Sequence, residues 1–226
     1  MKNGLSEVVG ISEPDRCGRD TSGLVHLLWE IMRKLIVWNV VTLDGCFEGE
    51  TPWDLSFHHL VWGPELEALS LEQLREADML VFGKNTYEVM AKYWPDAEAE
   101  GEVTALMNGI TKVVCSESLE RADWNNTTII RDTVSELTRL KEQGDKPMYI
   151  FGSGKLIQSL MHAGSIDEIR LCIAPIVLGK GRRLFADEGA THALNLLESR
   201  PLQNSGVILR YEVNKKKKKK LWKRFR

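Results

Sequence analysis

Short apolar runs alternate with amphipathic segments along most of this chain. Runs typical of buried strands lie at 34–41, 78–83, 111–115, 127–131, 147–152, 167–177 and 206–213. Segments with helical spacing of apolar residues lie at 64–77, 85–93, 98–109, 133–143 and 154–163. Strands that alternate with helices predict an α/β fold with a mostly parallel central sheet. After Ile166 the pattern is almost wholly that of strands, so we expect a C-terminal antiparallel hairpin.

Both ends of the chain depart from this pattern. Residues 1–31 are rich in Gly, Ser, Asp and Glu, and they predict a poorly ordered N-terminal extension. The folded domain is expected over residues 32–213. A basic tail is expected over 214–226, where an unbroken lysine run is typical of a solvated segment.

Composition excludes several classes of function. The 226 residues suit one domain with appended ends. The formal net charge is −2, and residues 215–226 hold nine Lys or Arg and no acid, which leaves −11 on the rest of the chain. An acidic body argues against nucleic acid as the main partner. Four scattered cysteines without metal-ligand spacing predict no metal site and indicate a reducing cytoplasm. No apolar run is long enough to predict a membrane span.

A glycine turn is the first candidate for chemistry. The strand-like run that ends at Phe151 passes directly into Gly152-Ser153-Gly154, and a helical pattern with Lys155 and Leu156 follows. Backbone N–H groups at such a helix start can hold a phosphate. An ordinary strand-to-helix turn explains this segment equally well. It is neither a P-loop nor a Rossmann fingerprint, because the required glycines and the Ser or Thr after the lysine are missing.

Other predicted strands also end in residues suited to phosphate. The second strand runs into Gly83-Lys84-Asn85-Thr86, and the third is followed by Ser116 and Ser118. Ligands of parallel sheets bind outside the carboxyl ends of the strands, so these segments are expected along one edge. Several phosphate-binding ends on one edge indicate a dinucleotide.

Four motifs in the same order resemble the dihydrofolate reductase superfamily. Within this superfamily, the chain most resembles the branch shared by the reductase domain of bifunctional riboflavin-biosynthesis enzymes and many stand-alone bacterial proteins. The matching segments are Asn39 to Gly45 with Glu48-Gly49, Val81 to Glu88, Ile150 to Gly154, and Asp167 to Arg170 with Pro175 to Gly181. The resemblance covers roughly residues 32–213 and implies the three-layer dihydrofolate-reductase-like fold.

The resemblance implies NADPH as the hydride donor. The glycine turn at 152–154 would cradle the pyrophosphate, and the 83–86 turn would support it. Ser116 and Ser118 would meet the 2′-phosphate, although Glu117 between them would disfavour that charge. The 42–50 loop would close over the nicotinamide and exclude water. The residues expected to bind the cofactor are Val40, Val41, Gly45, Gly83, Lys84, Asn85, Thr86, Ser116, Ser118, Gly152, Ser153, Gly154, Lys155 and Leu156.

Candidate catalytic groups are few. Asp44 is predicted either to orient substrate and relay a proton near the nicotinamide or simply to form a tight Asp-Gly turn. Glu48 is a weaker candidate for the same catalytic role. Folate-reducing members carry an acid five residues after the Trp of a Pro-Trp pair, whereas His58 stands there in this chain. His58 is either a proton donor or an ordinary core or surface histidine.

Substrate contacts are expected from Asn39, Trp53, Phe57, Lys180 and Arg182. Lys180 and Arg182 either clamp a substrate phosphate or stabilise a hairpin or a dimer contact. The predicted function is a cytoplasmic NADPH-dependent reductase of a small heterocyclic or sugar-bearing molecule, similar to a ribosylaminouracil phosphate reductase. A pterin or folate-type reductase and a non-catalytic nucleotide-binding module are the alternatives. The resemblance also suggests a homodimer.

Overall fold

The computed structural model describes residues 32–185 and 190–214. The predicted N-terminal extension and the lysine run lie outside these residues. The strands are β1 (Leu35–Thr42), β2 (Cys46–Glu48), β3 (Met79–Gly83), β4 (Thr111–Cys115), β5 (Thr127–Ile130), β6 (Met148–Phe151), β7 (Glu168–Ala174), β8 (Arg182–Arg183), β9 (Leu194–Pro201) and β10 (Val207–Val213). The α-helices are α1 (Pro64–Glu76), α2 (Lys84–Tyr93), α3 (Glu102–Gly109), α4 (Thr133–Lys141) and α5 (Gly154–His162), and short 3-10 helices span Ser56–Leu60, Trp94–Asp96 and Glu98–Glu100.

Eight strands form one sheet in the order β5-β4-β3-β6-β1-β7-β10-β9. Every pair from β5 to β7 is parallel, and β10 runs antiparallel to both β7 and β9. The predicted α/β class, with a mostly parallel sheet and a C-terminal antiparallel hairpin, is confirmed. A separate ribbon pairs β2 with β8.

Helices cover both faces of the sheet, which gives three layers. On one face Ile36, Phe82 and Tyr149 pack in a cluster with Leu66 and Leu69 of α1. On the other face the strands pack against α4 and α5 through Val37, Val81, Ile150, Leu137 and Ile157. Strands covered on both faces are apolar at successive positions, and this explains the unbroken apolar runs in the sequence.

Strand register brings the functional segments together. Gly83 at the end of β3 lies beside Cys115 at the end of β4. Trp38 of β1 lies beside Phe151, the last residue of β6. Because these strands are parallel, their carboxyl ends share one edge of the sheet, and the segments that follow them meet there.

Two predicted boundaries were wrong, and one strand was not predicted. The helix expected over 98–109 begins at Glu102, because Gly101 adopts φ +57 and separates it from the 3-10 turn before it. The strand expected over 167–177 ends at Ala174, before Pro175. Strand β9 was missed altogether, because its exposed face interrupts the apolar pattern with Glu198, Ser199 and Arg200.

Strand β9 forms one edge of the sheet and exposes apolar side chains. Leu196 is 57% exposed and Leu197 is 49% exposed. The homodimer suggested by the resemblance stays a prediction. Within residues 32–185 and 190–214, no helix combines the length and apolarity that crossing a membrane requires.

Candidate active site

A cavity of about 510 Å³ opens at the carboxyl edge of the sheet. Its walls come from the ends of β1, β3 and β6, the first turns of α2 and α5, and the segment between β2 and α1. The predicted site residues that line it are Asn39, Val40, Glu48, Trp53, Gly83, Lys84, Asn85, Thr86, Gly152, Ser153, Gly154, Lys155, Leu156 and Arg182. A volume of this size is that of a small-molecule or cofactor site. No metal-binding group of three or more His, Cys, Asp or Glu occurs among the described residues.

Ser153 joins the two glycine turns. Its backbone lies in the left-handed region with φ +59, directly after Gly152 with φ +56. The Ser153 N–H donates to Thr86 Oγ1 at 3.0 Å, and its hydroxyl accepts the Gly83 N–H at 3.0 Å. The same hydroxyl donates to the Phe151 carbonyl at 3.1 Å. The Ser153 side chain therefore fixes the turn rather than reaching toward a ligand, and it holds a strained conformation at the site.

Two helix N-termini face the cavity. Helix α5 begins at Gly154 and helix α2 begins at Lys84, and neither first turn receives a side-chain capping hydrogen bond. The first backbone N–H groups of a helix lack intrahelical acceptors and carry partial positive charge. Lys84 and Lys155 add full charges beside them. A Cβ atom on Gly154 would lie 2.7 Å from the Phe47 ring, so only glycine allows the ring to pack this closely against the start of α5. This arrangement fits a pyrophosphate.

Ser116 and Ser118 lie beyond the cavity lining, next to Lys84. The Ser116 hydroxyl accepts the N–H groups of Ser118 and Leu119 at 3.2 and 3.0 Å, which closes the turn after β4. Lys84 Nζ donates to Ser118 Oγ at 3.2 Å. Arg131 donates to the Ser116 carbonyl at 2.5 Å. The turn after β4 thus lies beside two cations, as a bound phosphate requires.

Asp44 tethers two loops and does not line the cavity. Its carboxylate accepts Thr42 Oγ1 at 2.6 Å and the N–H groups of Leu178 and Gly179 at 3.2 and 2.9 Å. The hydrogen bond from Thr42, followed by that from Gly179, lowers the pKa of Asp44 to about 2. An ionised carboxylate with these partners does not donate a proton near neutral pH. The geometry therefore favours the turn-forming interpretation of Asp44 over the catalytic one.

Glu48 does line the cavity, and its carboxylate is already engaged. It accepts the backbone N–H of Trp53 and pairs with Arg182 Nη1 at 2.5 Å. The backbone of Trp53 adopts φ +66, a conformation that residues other than glycine and asparagine rarely take. Arg182 also lies over the Phe47 ring at 5.7 Å. Glu48 therefore holds Trp53 and the β2–β8 ribbon over the cavity.

The remaining predicted residues divide between the cavity and its surroundings. Asn39 donates to the Gly152 carbonyl at 3.4 Å and so connects β1 to the glycine turn. Six predicted residues besides Asp44 lie outside the lining, namely Val41, Gly45, Phe57, Lys180, Ser116 and Ser118. Val41 is buried on the α5 face and Phe57 is buried on the α1 face. Lys180 is exposed and pairs with Glu50 at 3.8 Å.

Sequence reasoning missed one wall of the cavity. This wall consists of apolar side chains from β1, β6, α1, α2 and the loops, and we call it the tryptophan pocket. Its residues are Trp38, Trp53, Trp62, Leu66, Met90 and Phe151, of which only Trp53 was predicted. Apolar residues at these positions are indistinguishable from core residues in the sequence, and only the packing leaves their surfaces open.

His58 borders the tryptophan pocket. Its Nε2 atom is buried without a hydrogen-bond partner among the described residues. Burial lowers the pKa of His58 from 6.5 to about 4, so the imidazole is neutral at pH 7. A neutral imidazole of this pKa is a poor general acid near neutral pH. It offers a ligand one hydrogen-bonding nitrogen.

The buried imidazole predicts acid sensitivity. The unfolded chain binds a proton at His58 below pH 6.5 and the folded chain only near pH 4, so stability falls as the pH drops through this window. Between pH 7.5 and pH 5, we expect His58→Phe to lose about 2 kcal/mol less unfolding free energy than wild type. Urea denaturation at both pH values measures this. His59→Phe is the matched control, because His59 is exposed. Equal losses in wild type and His58→Phe would contradict the prediction.

The fold and the cavity define an α/β protein with a ligand site at the carboxyl edge of a mostly parallel sheet. A family model for the RibD C-terminal domain matches residues 33–208, and the chain belongs to that family. YyaP of Bacillus subtilis, an uncharacterized protein, is 29% identical over 189 residues that cover 80% of this chain and 96% of YyaP.

Solved structures share the fold at low identity. A Shewanella protein named for riboflavin biosynthesis is 21% identical with a TM-score of 0.65, over 80% of this chain and 99% of that one. A Thermotoga maritima protein, named as a diaminohydroxyphosphoribosylaminopyrimidine deaminase and 5-amino-6-(5-phosphoribosylamino)uracil reductase, is 13% identical with a TM-score of 0.58. The match covers 85% of this chain and 60% of the Thermotoga chain. The dihydrofolate-reductase-like fold predicted from the sequence is confirmed.

Proposed function

We propose that this protein is an NADPH-dependent reductase of a small heterocyclic substrate. The observation that carries the proposal is the pair of uncapped helix N-termini at one cavity, joined through Ser153 and flanked by Lys84 and Lys155. Such a pair supports binding of a pyrophosphate. Lys84 and Arg131 beside the turn after β4 support a further phosphate on the adenosine. The RibD C-terminal domain family agrees with this assignment.

The residues around the cavity have distinct tasks in such a reaction. When bound, NADPH would supply the hydride. The α5 and α2 N-termini with Lys84 and Lys155 would bind its phosphates. Glu48 holds Trp53 in place, and Trp53 helps keep water from the reacting atoms. Glu48 and Asp44 are carboxylates engaged with other groups, so the proton that follows the hydride would come from water.

Substrate candidates follow from the relatives. The compound named for the Thermotoga protein, 5-amino-6-(5-phosphoribosylamino)uracil, is the first substrate to test. Pterins are the second. A nucleotide-binding module without turnover is the alternative function, and the engaged state of both carboxylates favours testing it directly.

Titration with NADPH and NADH tests the proposal. Quenching of tryptophan fluorescence reports binding, because three tryptophans line the cavity. We expect NADPH to bind about tenfold more tightly than NADH, a difference of about 1.4 kcal/mol. Lys84→Ala should remove most of that difference. Loss of absorbance at 340 nm with a substrate panel then separates an enzyme from a binding module. Absence of binding by both cofactors would refute the proposal.

A further inference from the structure

The tryptophan pocket has the surface of a site for a flat aromatic ring. Trp38, Trp53 and Trp62 reach it from β1, from the loop after β2 and from the segment before α1. Trp62 keeps 51% of its surface exposed, although a large apolar side chain is normally buried. Indole rings offer flat apolar faces on which other aromatic rings stack favourably.

The tryptophan pocket is bordered by neutral hydrogen-bonding side chains and by one engaged ion pair. Ser70 of α1 and His58 are among the neutral groups that line the cavity. Glu48 accepts the backbone N–H of Trp53 and is paired with Arg182. The low pKa of His58 keeps the imidazole uncharged at pH 7. A serine hydroxyl and a neutral imidazole can each bond a heterocyclic N–H or carbonyl group. Neither can neutralise a phosphate.

The cations that line the cavity are Lys84, Lys155 and Arg182. Lys84 reaches Ser118 beyond β4, and β3 and β6 separate β4 from the β1 strand that carries Trp38. Lys155 lines a second recess of about 310 Å³ on the α5 side, together with Arg183. Arg182 is paired with Glu48 at 2.5 Å. A phosphate in the tryptophan pocket would therefore reach Arg182 only in competition with Glu48, and it would leave the Glu48 carboxylate without its partner.

We infer that the substrate is an uncharged, planar heteroaromatic compound without a phosphate group. The inference rests on the reductase function proposed above and assigns its substrate class. A hydride adds to a ring carbon of a C=O or C=N bond, the bond's electron pair passes to oxygen or nitrogen, and water protonates that atom. The nicotinamide is oxidised and the ring is reduced by two electrons. The chain thus accepts a substrate class different from the phosphorylated one named for the Thermotoga protein.

Matched ligand pairs test the inference. Riboflavin and riboflavin 5′-phosphate share a flat ring and differ only in the phosphate, and their binding in the presence of NADP⁺ is measured by equilibrium dialysis. The same comparison is made for turnover with 5-amino-6-(ribosylamino)uracil and its 5′-phosphate. We expect the phosphate-free member to bind about tenfold more tightly and to show the higher kcat/KM in any pair that is turned over.

Variants of Trp62 test whether the aromatic ring of the ligand binds in the tryptophan pocket. Trp62→Ala should weaken riboflavin binding about tenfold while the NADPH Kd stays the same, and Trp62→Phe should retain most of the binding. Trp62 is half-exposed, so both variants should fold. Tighter binding or faster turnover of the phosphorylated members would overturn the inference and leave the reductase proposal standing. Riboflavin binding unaffected by Trp62→Ala would also overturn it. Absence of NADPH binding would instead refute the proposed function.

Discussion

Replacement of Arg170 by methionine is expected to lower the free energy of unfolding by about 3–5 kcal/mol. Arg170 on β7 is 8% exposed and donates to Glu168 at 2.7 Å, to Glu76 at 2.8 Å and to the Tyr149 hydroxyl at 2.6 Å. Glu168 is 2% exposed. Methionine fills a similar volume, but it leaves a buried carboxylate with less positive charge beside it.

The charge on Glu168 explains the size of the effect. Burial alone would raise the pKa of Glu168, but the charges and hydrogen bonds of Arg170 and Arg210 outweigh burial and lower that pKa. Removing Arg170 leaves the buried anion with two more exposed partners, Arg210 at 3.0 Å and Lys34 at 3.5 Å. Breaking one half of a buried ion pair costs far more than forming the pair contributes.

Urea denaturation at pH 7 measures the prediction. Arg121→Met is the matched control, because Arg121 and Asp123 form an exposed pair, 83% and 69% accessible, whose loss should cost about 1 kcal/mol or less. Adding Glu168→Gln to Arg170→Met should recover part of the lost stability, because the buried charge that has lost a partner is removed. An Arg170→Met variant as stable as the Arg121→Met control would contradict the prediction.

The sequence predicted the parts of the fold that local patterns specify. The central strands β1, β3, β4 and β6 are apolar because they are covered on both faces, and the helices between them show clear periodicity. Strand β9 was not predicted, because an edge strand with charged residues resembles a loop. The β2–β8 ribbon was not predicted either, because β8 has only two residues and pairs with a distant segment.

The candidate site, like the fold, could be predicted only where local sequence specifies the structure. The turns at Gly83 and Gly152 were predicted because glycine before a helix carries a backbone requirement that the sequence displays directly. The role of Ser153 was not, since its partners come from 67 and 70 residues away in the chain. For Asp44 the sequence left two interpretations open, a catalytic carboxylate and a tight Asp-Gly turn. It could not show that the Asp44 oxygens bond backbone groups more than 130 residues further on.

The tryptophan pocket could not be predicted for a physical reason. Whether Trp38 or Met90 is a core side chain or a cavity wall depends on how completely α1 and α2 cover the sheet. Apolar character is the same in both cases. The proposed substrate pocket depends on gaps in the packing, which the sequence does not reveal. The proposed cofactor site depends on backbone turns, which glycine residues in the sequence do indicate.

Gly154→Ala is expected to weaken NADPH binding about a hundredfold. The new Cβ would lie 2.7 Å from the Phe47 ring, so the ring or the first turn of α5, where the phosphates are proposed to bind, must shift. Losing two charge-assisted hydrogen bonds from backbone N–H groups costs about 3 kcal/mol, which corresponds to that change in Kd. Tryptophan fluorescence titration measures the Kd, and circular dichroism checks the fold.

Two companion variants show where such a loss originates. Gly109→Ala at the end of α3 is the matched control, because a Cβ there meets no atom within 4 Å, and its Kd should equal that of wild type. In Gly154→Ala with Phe47→Ala the displaced ring is gone, so the backbone N–H groups of α5 become accessible again. We expect this double variant to recover most of the lost affinity. A wild-type Kd for Gly154→Ala would place the cofactor phosphates away from α5, because no bound phosphate could then depend on the space that Gly154 keeps open.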